Sequence, residues 1–188
     1  MSAGVISLIV VGCVLLLLIV AIIGTYNGLV GCRNTVEEAF STMDVYLKKR
    51  WDLIPNLVET VKGYAKHEKE TLGEVIAMRN SAYEGMSVND KIDVNTKLTQ
   101  GISKIMALAE AYPDLKANAN FQNLSNQLAS IENDIANSRK YYNGSVKKMN
   151  NKVQMFPSNI VAGMFGFKTY KMFEISDSKQ RENVEVKF

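Results

Sequence analysis

Residues 5–23 carry no charged side chain and are dominated by Val, Leu and Ile. At about 1.5 Å of rise per residue such a run nearly crosses a hydrocarbon layer of about 30 Å, and it predicts a transmembrane helix. Beyond it the pattern changes to apolar positions three and four apart with charges between them, the spacing of helices that each bury one stripe. Val36, Phe40, Met43, Leu47, Trp51, Ile54, Val58, Val61 and Ala65, then Leu72 and Val75, predict a first bundle helix over about residues 33–84. Pro55 falls inside it, removes one backbone donor and crowds the preceding turn, so a bend or break is expected near residues 52–55. Gly63 and Gly73 weaken the helix further. Residues 84–90 read as a turn, with Gly85 to stop one helix and Ser87, Asn89 or Asp90 to cap the next. A second helix is expected over 91–111 on Val94, Leu98, Ile102, Ile105, Leu108 or Ala109, and Tyr112, closed by Pro113. The clearest repeat predicts a third over 119–154: Phe121, Leu124, Leu128, Ile131, Ile135, Ser138, Tyr142, Val146, Met149, Val153 and, just beyond, Phe156.

The fold class expected is therefore all-α, an N-terminal transmembrane helix followed by an antiparallel bundle of long helices. The expected organisation is an anchor at 1–28, a bundle at 29–175 and a polar tail at 176–188. Residues 160–167 are too few to span a bilayer and too apolar for a free end, so they are expected to cap the bundle.

Charge adds an orientation. The 188 residues carry 22 Lys and Arg against 19 Asp and Glu. No basic residue precedes the span, whereas Arg33 follows it closely and Lys48, Lys49 and Arg50 lie further on, which predicts an outside N-terminus and a cytoplasmic bundle. A cleaved signal peptide is disfavoured because residues 1–4 hold no Lys or Arg. Lipoprotein processing at Leu29-Val30-Gly31-Cys32 is disfavoured on the same ground and by the intervening Thr25-Tyr26-Asn27. Cys13 and Cys32 are too far apart along a helix to pair. Two cysteines and one histidine supply no zinc ligand set, and no cofactor is expected.

Candidate chemistry is sparse. After His67-Glu68 a zincin needs a second His at the place of Thr71, so that reading fails. Glu37-Glu38 and the pair Glu68 and Glu70 read as ordinary exposed acids, and no enzyme is expected. Gly24 and Gly28 have the spacing that lets two anchor helices approach closely, although a flexible exit from the membrane is the simpler reading. The sharpest feature is the stretch 135–173, which holds Arg139, Lys140, Lys147, Lys148, Lys152, Lys168 and Lys171 with no acid. Interleaved with Tyr141, Tyr142, Phe156, Phe165, Phe167, Tyr170 and Phe173, these residues could contact an anionic lipid bilayer or a protein partner. Nucleic acid is disfavoured, and a solvated face with an aromatic cap is the plainest alternative. With helices folding back and forth, this basic end is expected far from its own anchor, within reach of a second membrane or a neighbouring subunit.

Long ordered segments add a resemblance: Tyr26-Asn27-Gly28-Leu29-Val30, Arg33-Asn34, Leu47-Lys48-Lys49-Arg50, Asp52-Leu53-Ile54-Pro55-Asn56-Leu57-Val58, Tyr112-Pro113-Asp114-Leu115-Lys116-Ala117-Asn118, Glu132-Asn133-Asp134-Ile135-Ala136, Tyr142-Asn143 and Phe156-Pro157. From Tyr26 to about Phe173 the chain resembles the LemA family of bacterial membrane proteins, with Trp51 a departure. The resemblance implies an N-terminal anchor and an antiparallel helical bundle, and implies no reaction. Arg33, Asn34, Asn56, Asn118, Asn133, Arg139 and Asn143 match the family pattern as helix caps and buried hydrogen bonds. The functional expectation is a non-enzymatic, membrane-anchored helical scaffold that self-associates as a homo-oligomer and organises or bridges membranes. The rival is a monomeric adaptor docking a membrane-bound protease or signalling protein.

Overall fold

The computed structural model of the chain describes residues 3–65, 68–78 and 83–173, and among them the regular elements are helices, with no strand. They are α1 (Ala3–Lys62), α2 (Lys69–Met78), a 3-10 turn at Tyr83–Gly85, α3 (Val88–Ala111), α4 (Pro113–Lys116), α5 (Ala119–Gln154) and α6 (Ser158–Met164). The all-α expectation holds: a long apolar N-terminal helix is followed by further helices packed against it.

The expected anchor and the expected first bundle helix are one element, because α1 runs 60 residues without interruption. Residues 24–28 are helical, so the chain has no flexible exit there. The helix also continues through Pro55, so of the expected bend or break the break does not occur. An interior proline costs about 3 kcal/mol. Ile54, Leu57, Val58 and Val61 are all buried around it, and burying each is worth roughly 1.5–3 kcal/mol, so the stripe outweighs the lost donor. Asp52 pairs with Lys48 at 2.6 Å instead of serving the backbone near Pro55. The chain leaves α1 at Gly63, where the amides of Tyr64 and Ala65 both donate to the Val61 carbonyl. Leu72 and Val75, expected on the same helix, are buried on the separate α2.

Two compact units divide the chain. The first comprises residues 3–39 and 141–172. Its apolar run 5–23 is uncovered, while Leu29, Cys32, Val36 and Ala39 are buried, as are Tyr142, Val146 and Met149 of α5 and Val161 and Ala162 of α6. α5 ends at Gln154, so Phe156 drops out of the helical register and lies 79% exposed, against its expected place on the stripe. After a cis peptide at Phe156-Pro157 the chain forms α6. Gly166 (φ +71°) closes α6 in a left-handed turn that L side chains avoid. Its amide donates to Gly163 at 3.4 Å and that of Phe167 to Ala162 at 2.9 Å, the paired bonds of a Schellman cap. The chain then returns along α5. The Asn150 side chain donates to the Tyr170 carbonyl at 2.9 Å and accepts the Tyr170 amide at 2.8 Å, and the Tyr142 hydroxyl donates to the Lys171 carbonyl at 2.9 Å.

The second unit comprises residues 40–140 and Phe173. Its core is built from Met43, Leu47, Trp51, Ile54 and Val58 of α1, Leu72 and Val75 of α2, Ile92, Leu98, Ile102 and Ile105 of α3, and Phe121, Leu128 and Ile135 of α5. Ser87 caps α3, accepting the Asp90 amide at 3.2 Å. Pro113 occupies the first position of the one-turn α4, where its missing donor costs nothing. Asn118 starts α5 by accepting the Phe121 amide at 3.0 Å and donates to the Tyr64 hydroxyl at 2.9 Å, the capping role expected of it.

Candidate membrane-facing and buried polar sites

The seven basic residues singled out between 135 and 173 are divided between the two units. Arg139 and Lys140 belong to the second unit, where the Arg139 guanidinium lies 5.8 Å from the centre of the Phe173 ring. Burial holds that guanidinium below its ordinary range, with Glu132 pulling it up and Arg50 pushing it down. Lys147, Lys148, Lys152, Lys168 and Lys171 belong to the first unit. Lys152 turns its ammonium onto Gly28, with Nζ 2.6 Å from where a Cβ would stand, so this glycine is taken up by a contact within the chain.

Placement of the aromatic residues overturns the expectation that this basic end lies far from its own anchor. Tyr26, three residues beyond the apolar run, has its ring centre 4.7 Å from that of Phe165 and 5.8 Å from that of Phe167. Arg33 lies over the Phe167 ring at 5.7 Å. The elbow formed by residues 155–167 is therefore folded against the exit of the apolar helix, and its outward surface carries Met155, Phe156, Ile160, Met164 and Phe165, all more than half exposed.

Beneath the elbow, Tyr142 is buried and its phenol is pushed up to about 12, first by burial and then by Tyr170. The ordinary value is about 10, so the fold favours the protonated form. Its contribution to stability is complete below about pH 10 and is lost as pH rises toward 12. Melting followed by circular dichroism between those values should show a shallower alkaline fall for Tyr142→Phe than for the unmodified chain. That variant should start lower by about 1 kcal/mol for the lost hydrogen bond to Lys171.

In the second unit the polar centre is Arg50, 1% exposed. One terminal nitrogen donates to Thr99 at 2.9 Å and Glu132 at 2.8 Å, and the other to the carbonyl and side-chain oxygens of Asn95 at 2.9 and 2.7 Å. Asn95 is itself fully buried and held by donation to the Lys91 carbonyl at 2.9 Å. Next to it, Asp44 accepts from the Tyr83 hydroxyl at 2.6 Å and from Lys91 at 2.7 Å, with the Lys91 ammonium 4.7 Å from the Tyr83 ring centre. Burial and Asp44 together push the Tyr83 phenol well above its ordinary range.

Sequence reasoning placed Arg50 among flanking surface charges and passed over Asn95. A signal for Arg50 was present, since it stands three residues after Leu47 and four before Ile54, on the apolar face. These groups hold α1, α3 and α5 together. Of the other polar residues expected to be structural, Asn34, Asn56 and Asn133 are exposed and Asn143 is half-buried. Among the described residues no three His, Cys, Asp or Glu side chains are grouped to hold a metal ion. His67 lies outside the described residues, and Glu68 accepts weakly from Tyr112 at 3.4 Å.

Comparison with known proteins gives a consistent frame. The family model described as LemA family matches residues 39–188. The chain is 22% identical over 156 residues to Protein LemA of Metamycoplasma hominis, covering 82% of this chain and 71% of that protein. It is 23% identical to Magnetosome protein MamQ 2 of Paramagnetospirillum magneticum, with 83% and 68% covered, and 22% identical to Magnetosome protein MamQ of Magnetospirillum gryphiswaldense, with 79% and 64% covered. None of these names describes an enzyme.

Proposed function

We propose that this chain, which belongs to the LemA family, is a non-enzymatic helical scaffold: α1 crosses the bilayer once, the bundle lies on the cytoplasmic side, and copies self-associate to organise the membrane surface. The observation that carries this reading is the continuity of α1 from the apolar run into the buried stripe at Leu29, Cys32, Val36 and Ala39. Within the first unit the apolar run therefore passes into packed residues with no flexible linker between them, as a fixed scaffold requires. Arg33, following an uncharged N-terminal flank, supports the cytoplasmic side. Support for self-association comes from the anchor itself, because residues 5–23 are uncovered and present a surface on which a second copy can pack.

Light scattering on the full chain extracted in mild detergent tests the proposal, the detergent contribution being subtracted. A uniform particle several times the 20.9 kDa of one chain is expected. A single chain per particle would overturn self-association and shift the reading to a monomeric adaptor, with co-purifying membrane-bound proteases or signalling proteins the next thing to identify.

A further inference from the structure

We infer that the elbow at residues 155–167 is an interfacial wedge that inserts into the same leaflet from which α1 emerges, with lysines around it meeting anionic headgroups. The inference rests on α1 spanning the bilayer. Tyr26 lies only about 4.5 Å along the helix axis beyond Ile23, the last residue of the apolar run. Its ring packs at a tilt against Phe165, so the elbow is fixed at the depth of the interface by a contact within the chain. At that depth the exposed surface is strongly apolar: Phe156 is 79% exposed, Met164 66%, Met155 60%, Ile160 55% and Phe165 52%. Leaving five large apolar side chains bare in water would be costly, whereas the headgroup and acyl boundary accepts them.

Charge is arranged to match. Residues 141–172 carry Lys147, Lys148, Lys152, Lys168 and Lys171 and no Asp or Glu. The Lys152 ammonium lies on α1 at Gly28, within two residues of Tyr26, where a long side chain can reach up to phosphate oxygens while its stem stays on apolar surface. Tyr26, Phe165 and Phe167 form the aromatic belt commonly found where a span leaves the membrane. The wedge thus faces the bilayer of its own anchor, which argues against an opposing membrane as its occupant.

Spin-label accessibility on the full chain tests this. In a Cys13→Ala, Cys32→Ala background, single labels are placed by Phe156→Cys and Met164→Cys at the elbow, Val14→Cys in the apolar run and Asn126→Cys on the bundle. Each protein is reconstituted in vesicles of phosphatidylcholine with phosphatidylglycerol. Labels at 156 and 164 should collide with oxygen several-fold more than with an aqueous nickel chelate, and label 126 the reverse. All four labelled positions are exposed, so the labels leave packing intact, and the circular dichroism melt of the Cys13→Ala, Cys32→Ala background is matched to that of the unmodified chain because Cys32 is buried. Label 14 in lipid with labels 156 and 164 in water would overturn the wedge while leaving the anchor standing. Label 14 in water would overturn the anchor and the wedge with it.

Discussion

Replacing Arg50 by Ala is expected to destabilise the bundle by about 4 kcal/mol, measured by denaturant unfolding in detergent and followed by far-ultraviolet circular dichroism. The loss arises less from the removed attraction than from what is left behind. Asn95 is fully buried, and its side-chain oxygen would lose the guanidinium with no route to water, whereas its carbonyl keeps the Thr99 hydroxyl at 3.1 Å. Glu132 is different, since its side chain is 35% exposed and can turn outward, which keeps the loss from exceeding the usual range for a broken buried pair. Arg50→Lys should recover less than half, because one ammonium cannot reach Thr99, Glu132 and two oxygens of Asn95 at once. A loss under about 1 kcal/mol for Arg50→Ala would mean that the cost of burying the guanidinium cancels its bonds.

Trp51→Ala should cost about 4 kcal/mol by a different route. The indole is 4% exposed and lies with its ring centre 5.2 Å from that of Tyr83, so truncation leaves a cavity between α1 and the turn that carries Tyr83. Trp51→Phe should lose only about 1–2 kcal/mol, since it keeps the aromatic contact and most of the volume. As Trp51 is the only tryptophan, its emission reports this core directly, and the unmodified chain should show a red shift on unfolding at the dichroism midpoint. Separate transitions would mean that the core around Trp51 opens on its own. The two substitutions are adjacent and share the surroundings of Tyr83 and Asn95, so their effects should not add.

Much of the architecture was legible in the sequence because the apolar period is long and regular. The third predicted helix, over 119–154, coincides with α5, and the caps at Ser87 and Asn118 follow from side chains able to accept a backbone amide at the right place. The misreadings cluster where a local rule competed with burial. Pro55 signals a break, yet the buried residues on either side hold the helix through it. Phe156 continues the apolar count, yet the helix stops two residues earlier and leaves it bare. Arg50 looks like one of three surface cations, because a charge on an apolar face can be told from a charge beside one only when the acceptors on other helices are seen. The position of the basic end was misread for a related reason: spacing along a helix says which residues share a face, and says nothing of which distant segment returns to meet them. Only the packing of Phe165 and Phe167 against Tyr26 reveals that return.

The same return has a consequence for how the protein is made. The stripe formed by Leu29, Cys32, Val36 and Ala39 leaves the ribosome directly behind the apolar run, whereas the residues that complete its unit, from Tyr141 onward, are made only after residues 40–140. Throughout synthesis of residues 40–140 that apolar strip has no partner from its own unit, a period in which half-made neighbours can pair wrongly or a protease can act. Residues 40–140 have their own core and can close before residues 141–172 are made, so the first unit is completed only when Phe165 meets Tyr26.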